Sequence, residues 1–329
     1  MASIRYRALV ALSEIFGRSR RRSHFVERVL QARYSTEAYA SIEAACAFQS
    51  VAIGEFYRWK SVQWAAMTEA LRLDTDGMTD FLVSHDRSSY AELDDALRRP
   101  KGILVATPHY GHFLVAIAAI SDRTAGRKVV NLFFDPPEKH SANRDFAEFC
   151  ERRYGKSDTV EVIFNNRSGL VRAIKALRRG ELVVIMPDVF DNIDETFEMP
   201  FLGRSRSVAL GTATLARISD SIILPMVSKY ERGGCFNSHF GGVIGAAHPE
   251  IGPDRVSQTQ YDYALMRKVF SAFESLIGRE VIPWQYARDH FNAPSPLPDV
   301  APDQLDAYLR MFAEDPRVKV DLTSPIALD

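Results

Sequence analysis

Cysteine is scarce in this 329-residue chain: three residues, Cys46, Cys150 and Cys235, odd in number and far apart. That argues against a disulfide framework and fits a reducing compartment, and no Cys-x-x-Cys pair offers a zinc site. Net charge is nearly absent. The 41 Lys and Arg against 42 Asp and Glu give −1 at pH 7, so there is no general electrostatic attraction to nucleic acid. The densest basic stretch, Gly17 to Arg22, reads as a solvated turn. Long apolar runs are missing. "ALVALSEIFG" near the N-terminus is too short and too interrupted to span a bilayer, and no signal-peptide h-region with a cleavage site stands beside it. The expectation is a cytoplasmic protein with at most peripheral contact to the inner membrane. A Gly-x-Ser-x-Gly elbow is absent, which argues against a serine hydrolase. No Gly/Pro/Ser-rich linker or internal repeat divides the chain.

What is present is apolar material, 46% of residues with 11% aromatic, enough for the core of one large domain. Residues 1–95 read mostly helical. "STEAYASIEAACAFQSVAIGEFYRWKSV" places Ile42, Ala45, Phe48, Gln49, Ala52 and Phe56 at helical spacing. Residues 96–295 alternate short apolar runs with amphipathic segments: "GILVAT" (102–107), "KVVNLFF" (128–134), "VEVIF" (160–164), "ELVVIMPD" (181–188) and "SIILPMVSKY" as strands, "SGLVRAIKALRRG" and "ALGTATLARIS" as helices. "GGCFNSHFGGVIG" adds a strand or hairpin, and residues 296–329 read as a short helix and tail. The pattern predicts an α/β fold with a mostly parallel central sheet flanked by helices and a helical N-terminal segment packed on it.

In an open α/β sheet, ligands bind beyond the carboxyl ends of the strands. His109 lies just past "GILVAT" and Asp188 just past "LVVIM". If those strands are parallel, both emerge on one edge. His109 also precedes the expected helix "HFLVAIAAIS", whose dipole would favour neutral imidazole, the form a general base needs. Gly111 would let the backbone approach a substrate closely. On spacing alone, His-x-x-His is a weak signal, and His109 and His112 read more readily as capping or packing histidines. A metal reading of His-x-x-His lacks a third ligand nearby in sequence.

"MPFLGRSRSVALGTATLARISDSIILPMV" (199–227) resembles the Pro-Phe-Phe-Gly-Arg region of the bacterial late lipid A acyltransferases, within the lysophospholipid acyltransferase superfamily. "LVRAIKALRRGELVVIMPDVFDN" resembles the helix, turn, strand and Pro-Asp that precede it, and "ATPHYGHFLVA" the active-site segment. "AFQSVAIGEFYRW" and "REVIPWQYARDHF" resemble the flanking regions, so the likeness runs in order through roughly residues 20–292. It implies an acyltransferase that uses acyl carrier protein or coenzyme A thioesters as donor, with a hydroxyl or amine acceptor and no further cofactor or metal. It implies His109 as the base of a His-x-x-x-x-Asp/Glu motif. Here that motif breaks: the fifth position on is Leu114, or Ile117 counted from His112.

Three readings follow from the break. A carboxylate from another strand end replaces the acid, Asp188 first, then Asp191 or Asp135. His109 works without an orienting acid, for example on an amine. Or transfer is lost, and the chain binds an acylated partner or only hydrolyses the thioester. The resemblance further implies Arg153 as a phosphate or oxyanion contact, Phe201, Gly203 and Arg204 at the acceptor pocket, and Tyr110 and His112 as substrate contacts beside the base. The lipid A enzymes that the chain resembles carry a transmembrane anchor; the altered motif, with the expectation of no such anchor here, implies an acceptor smaller than lipid A or bound to a carrier, in specialised-metabolite or lipid biosynthesis.

Overall fold

Ile103–Ala106 is a run of four apolar residues with no solvent exposure. Such a run is stable only as a strand covered on both faces, and the computed structural model puts it near the middle of a sheet. The structure describes residues 6–8, 10–12, 36–139, 141–155, 157–188, 196–245, 251 and 254–292. In chain order the elements are α1 (Thr36–Gln49), α2 (Ile53–Ala70), α3 (Thr75–His85), α4 (Ala91–Leu97), β1 (Ile103–Ala106), α5 (Phe113–Thr124), β2 (Val130–Phe134), α6 (Ser141–Tyr154), β3 (Val160–Phe164), α7 (Arg167–Arg178), β4 (Leu182–Ile185), β5 (Phe197–Phe201), β6 (Arg204–Val208), α8 (Gly211–Ser219), β7 (Ile222–Tyr230), β8 (Phe236–Phe240), α9 (Arg255–Ile277) and α10 (Ala287–Asn292).

Six strands form one sheet in the order β3-β2-β4-β1-β7-β8. All neighbours pair in parallel except β7 with β8, which is antiparallel. The α/β architecture, the mostly parallel sheet and the helical N-terminal segment are as expected from the sequence. Alternate strand residues enter opposite cores. Ile103, Val105, Leu182, Val184, Leu224 and Met226 pack with α5 and α6, and Leu104, Ala106, Val183, Ile185, Ile223 and Val227 pack with α7, α8 and α9.

Two differences from the sequence reading have physical reasons. The long N-terminal helix breaks into α1 and α2, because Ser50 takes a left-handed conformation (φ 61) and Val51 N–H closes back on the Cys46 carbonyl. "MPFLGRSRSV", assigned to no element above, is a β-hairpin: β5 and β6 pair antiparallel around Leu202 and Gly203, whose φ values of 47 and 74 match a primed hairpin turn. That hairpin sends Phe197, Met199 and Phe201 into the second core. The helix and tail expected over 296–329, and the basic stretch at 17–22, lie outside the described residues.

Candidate active site

The register of the sheet builds the site. β1 and β4 are adjacent and parallel, with Ala106 opposite Ile185. His109 and Asp188 each lie three residues further on, so equal steps beyond a paired register bring them together. Thr107 N–H still donates to the Ile185 carbonyl (3.0 Å) before the chains part. The His109 ring nitrogen Nδ1 is then 2.8 Å from Asp188 Oδ1, and the His109 main-chain N–H donates to Oδ2 at 2.8 Å. The indole N–H of Trp284 donates to the same Oδ2 at 2.8 Å. Asp188 has no solvent exposure, and the His109 side chain keeps 14% of its own.

An ionised carboxylate can only accept, and Asp188 already receives two N–H donors on Oδ2, so its Oδ1 fixes the proton on Nδ1 and leaves the lone pair on Nε2. The edges of Phe113 and Tyr286 flank the ring at 5.0 and 5.4 Å between centroids. The orientation of His109 comes from Asp188. α5 begins only at Phe113, and His112 occupies its N-cap position, so His109 lies outside the helix.

The loop around His109 is tied down on every side. Gly111 has φ 58, and a Cβ there would sit 1.7 Å from the Ser228 carbonyl oxygen. Its hydrogen atom lets the loop approach strand β7 rather than a substrate. Gln63 of α2, buried, donates through Nε2 to the carbonyls of Gly111 (3.3 Å) and Pro283 (3.1 Å). Gly111 N–H donates to the Pro283 carbonyl, and Gln285 N–H to the His109 carbonyl (2.9 Å).

Several residues implied by the resemblance lie away from the reacting centre. Tyr110 is fully buried and donates its hydroxyl to the Glu280 carbonyl (2.8 Å), and burial raises its pKa well above the usual phenol range. His112 is buried against Tyr230 and Phe236, and among the described residues no group meets the geometry of a hydrogen bond to either ring nitrogen. Desolvation lowers it to about 4. Arg153 is buried at the C-terminal end of α6. It is held by Asp122 (2.6 Å), the Thr75 carbonyl (3.1 Å) and the Tyr154 hydroxyl (3.0 Å). Asp122 stands ten residues beyond His112, about 15 Å along α5 at the helical rise, so the guanidinium is remote from His109, and each of its three nitrogens has a protein acceptor.

Phe201 sets its ring against Trp284 (5.2 Å, 90°), while Gly203 forms the hairpin turn and Arg204 lies over Phe291 (5.3 Å). Asp135 is bound to Asn165 (2.8 Å) and Lys139 (3.3 Å) at the end of β2. Asp191 lies outside the described residues. Trp284 lies in the stretch "REVIPWQYARDHF" that carries part of the resemblance, but nothing in the sequence pairs it with Asp188, 96 residues away, and Gln63 carries no recognisable signal, its side-chain partners being 48 residues away or more.

Among the described residues, no group of three or more His, Cys, Asp or Glu is placed to hold a metal ion. Among them also, no helix is long and apolar enough to cross a membrane. A protein-family model described as bacterial lipid A biosynthesis acyltransferase matches residues 66–291, just over two thirds of the chain. No curated protein matches the sequence.

Proposed function

The chain belongs to the bacterial lipid A biosynthesis acyltransferase family, and on that premise we propose that it transfers an acyl group from a thioester of acyl carrier protein or coenzyme A to a hydroxyl or amine acceptor, with His109 as general base and Asp188 as its orienting acid. The observation that carries this reading is the 2.8 Å contact between His109 Nδ1 and Asp188 Oδ1. It supplies from a neighbouring strand the carboxylate that is missing at Leu114. The readings in which His109 acts alone, or transfer has been lost, drew their support from that missing acid.

In the proposed reaction, Nε2 removes the proton of the acceptor as its oxygen or nitrogen attacks the thioester carbonyl. Asp188 stabilises the imidazolium that forms. Collapse of the tetrahedral intermediate breaks the carbon–sulfur bond, and the imidazolium returns the proton to the departing thiolate. The N–H groups of Thr107, His109, Tyr110, Gly111 and His112 all have protein acceptors, so the loop offers no donor to the oxyanion. The first turn of α5, four residues past His109, supplies N–H groups that have no intrahelical partner. We assign the oxyanion to that turn rather than to Arg153.

Mass spectrometry tests the reading. Purified protein is incubated with a panel of acyl carrier protein and coenzyme A thioesters and simple hydroxyl and amine acceptors. His109→Ala should lower product formation about 10²–10⁴-fold, and Asp188→Asn by a comparable factor. Turnover that persists unchanged in His109→Ala would refute the assignment. Free fatty acid as the sole product would replace transfer by thioester hydrolysis.

A further inference from the structure

Asp188 holds three N–H donors, and two of them belong to the residue it orients. The third comes from Trp284, 96 residues further along the chain. The two His109 donors do not by themselves fix the carboxylate, because His109 and Asp188 sit on the ends of separate strands and can rotate together. An anchor is needed from outside the pair.

The segment that carries Trp284 is built as such an anchor. Its main chain forms an isolated antiparallel bridge with Tyr110. Its carbonyl accepts from Lys60 Nζ of α2 (3.1 Å). Its indole has no solvent exposure and is boxed by Phe201 at 5.2 Å, His290 at 5.2 Å and Tyr286 at 6.2 Å, all in edge contacts. A ring enclosed on three sides cannot swing, so its N–H points in one direction only. That direction is Oδ2 of a carboxylate cut off from water. A buried carboxylate that lacks donors takes up a proton instead of staying charged.

We propose that Trp284 is a positioning residue for the acid of the dyad: its indole N–H pins Asp188 Oδ2, and this holds Oδ1 on the Nδ1 side of His109. The inference rests on the reading of His109 as base. It also gives Phe201 a role, as the wall that sets the indole plane rather than as a contact to the acceptor.

The test separates the N–H from the bulk of the ring. Replacing Trp284 with β-(3-benzothienyl)alanine, in which sulfur stands for the indole nitrogen, keeps the shape and removes the donor. Two readouts are taken. The first is kcat and KM for acyl transfer, in the wild type and in an Asp188→Asn background. The second is the low-field proton resonance of His109 Nδ1–H, which does not require turnover.

The expected result is a kcat lower by about tenfold or more, the factor a hydrogen bond to a charged group corresponds to, with KM little changed. The His109 resonance should move or broaden, and the replacement should have no further effect once Asp188 is Asn. An unchanged resonance with unchanged kcat would overturn the proposal. So would an equal loss in the Asp188→Asn background, since Trp284 would then act through packing alone. If the wild type turns over no donor but the resonance responds, the acyl-transfer reading falls and the positioning of Asp188 stands.

Discussion

Acidification from pH 7 to pH 5 should destabilise this fold, and two histidines set the amount. His112 and His290 are buried, and among the described residues no group meets the geometry of a hydrogen bond to their ring nitrogens. Desolvation brings each down to about 4, whereas in the unfolded chain a histidine titrates near 6.5. A group with a depressed basic pKa binds fewer protons folded than unfolded, so stability is present at neutral pH and is lost as pH falls from about 6.5 toward 4. Linkage over those two values gives a loss of about 2 kcal/mol per histidine between pH 7 and pH 5. The two rings lie in opposite cores, His112 beside Tyr230 and Phe236, and His290 beside Phe201 and Trp284. Their effects should therefore add, to about 4 kcal/mol.

His85, lowered by burial, acts in the same direction. Denaturant unfolding at pH 7, 6 and 5 measures the loss. Heating scans should show a fall in Tm on the order of 5–10 °C. His112→Phe and His290→Phe keep a ring and abolish the titration, so each should remove its share of the pH slope. A stability that stays flat between pH 7 and pH 5, or a slope that survives both substitutions, would refute the reasoning.

Two other substitutions probe the loop and the remote arginine. Gly111→Ala forces a Cβ into the Ser228 carbonyl at positive φ and should cost about 3 kcal/mol or more, with activity lost. Gly126→Ala, also at positive φ but with open space around it, should cost only about 1 kcal/mol by the same chemical denaturation. Arg153→Met should lower stability by about 2–3 kcal/mol, through loss of the Asp122 and Thr75 bonds, with KM for the donor unchanged in steady-state assays. A raised KM would return Arg153 to the substrate.

The inner strands β1, β2 and β4 were legible because they are buried on both faces and spell nearly continuous apolar runs. Val160–Phe164 begins and ends where the residues say it should. The β5–β6 hairpin escaped because its turn uses Leu202, a residue that seldom takes positive φ, and this hides the turn signal. The break between α1 and α2 escaped for the same reason at Ser50.

Of the site, chain direction alone put His109 and Asp188 on one edge. Choosing Asp188 over Asp135 needs more, because that choice depends on β4 rather than β2 lying next to β1, and on Ala106 facing Ile185. Strand order is a long-range property with no local residue code. The burial of Tyr110 and Arg153 was hidden for a related reason: each satisfies its polar atoms on distant main-chain or side-chain groups that sequence spacing does not reveal.

The separation of the proposed base and acid onto two strands also makes the site a reporter of assembly. When both groups sit within five residues of one helix turn, the pair exists as soon as that turn forms. Here 79 residues separate them, and the pair exists only when β1 and β4 have met in register. A slip of one residue would carry Asp188 about 3.3 Å along the strand and turn it to the other face. No partly folded form or chain fragment that lacks β4 can hold an oriented His109. On the proposed function, competence would thus appear late, together with the completed sheet, and an incompletely folded chain could not turn over its donor.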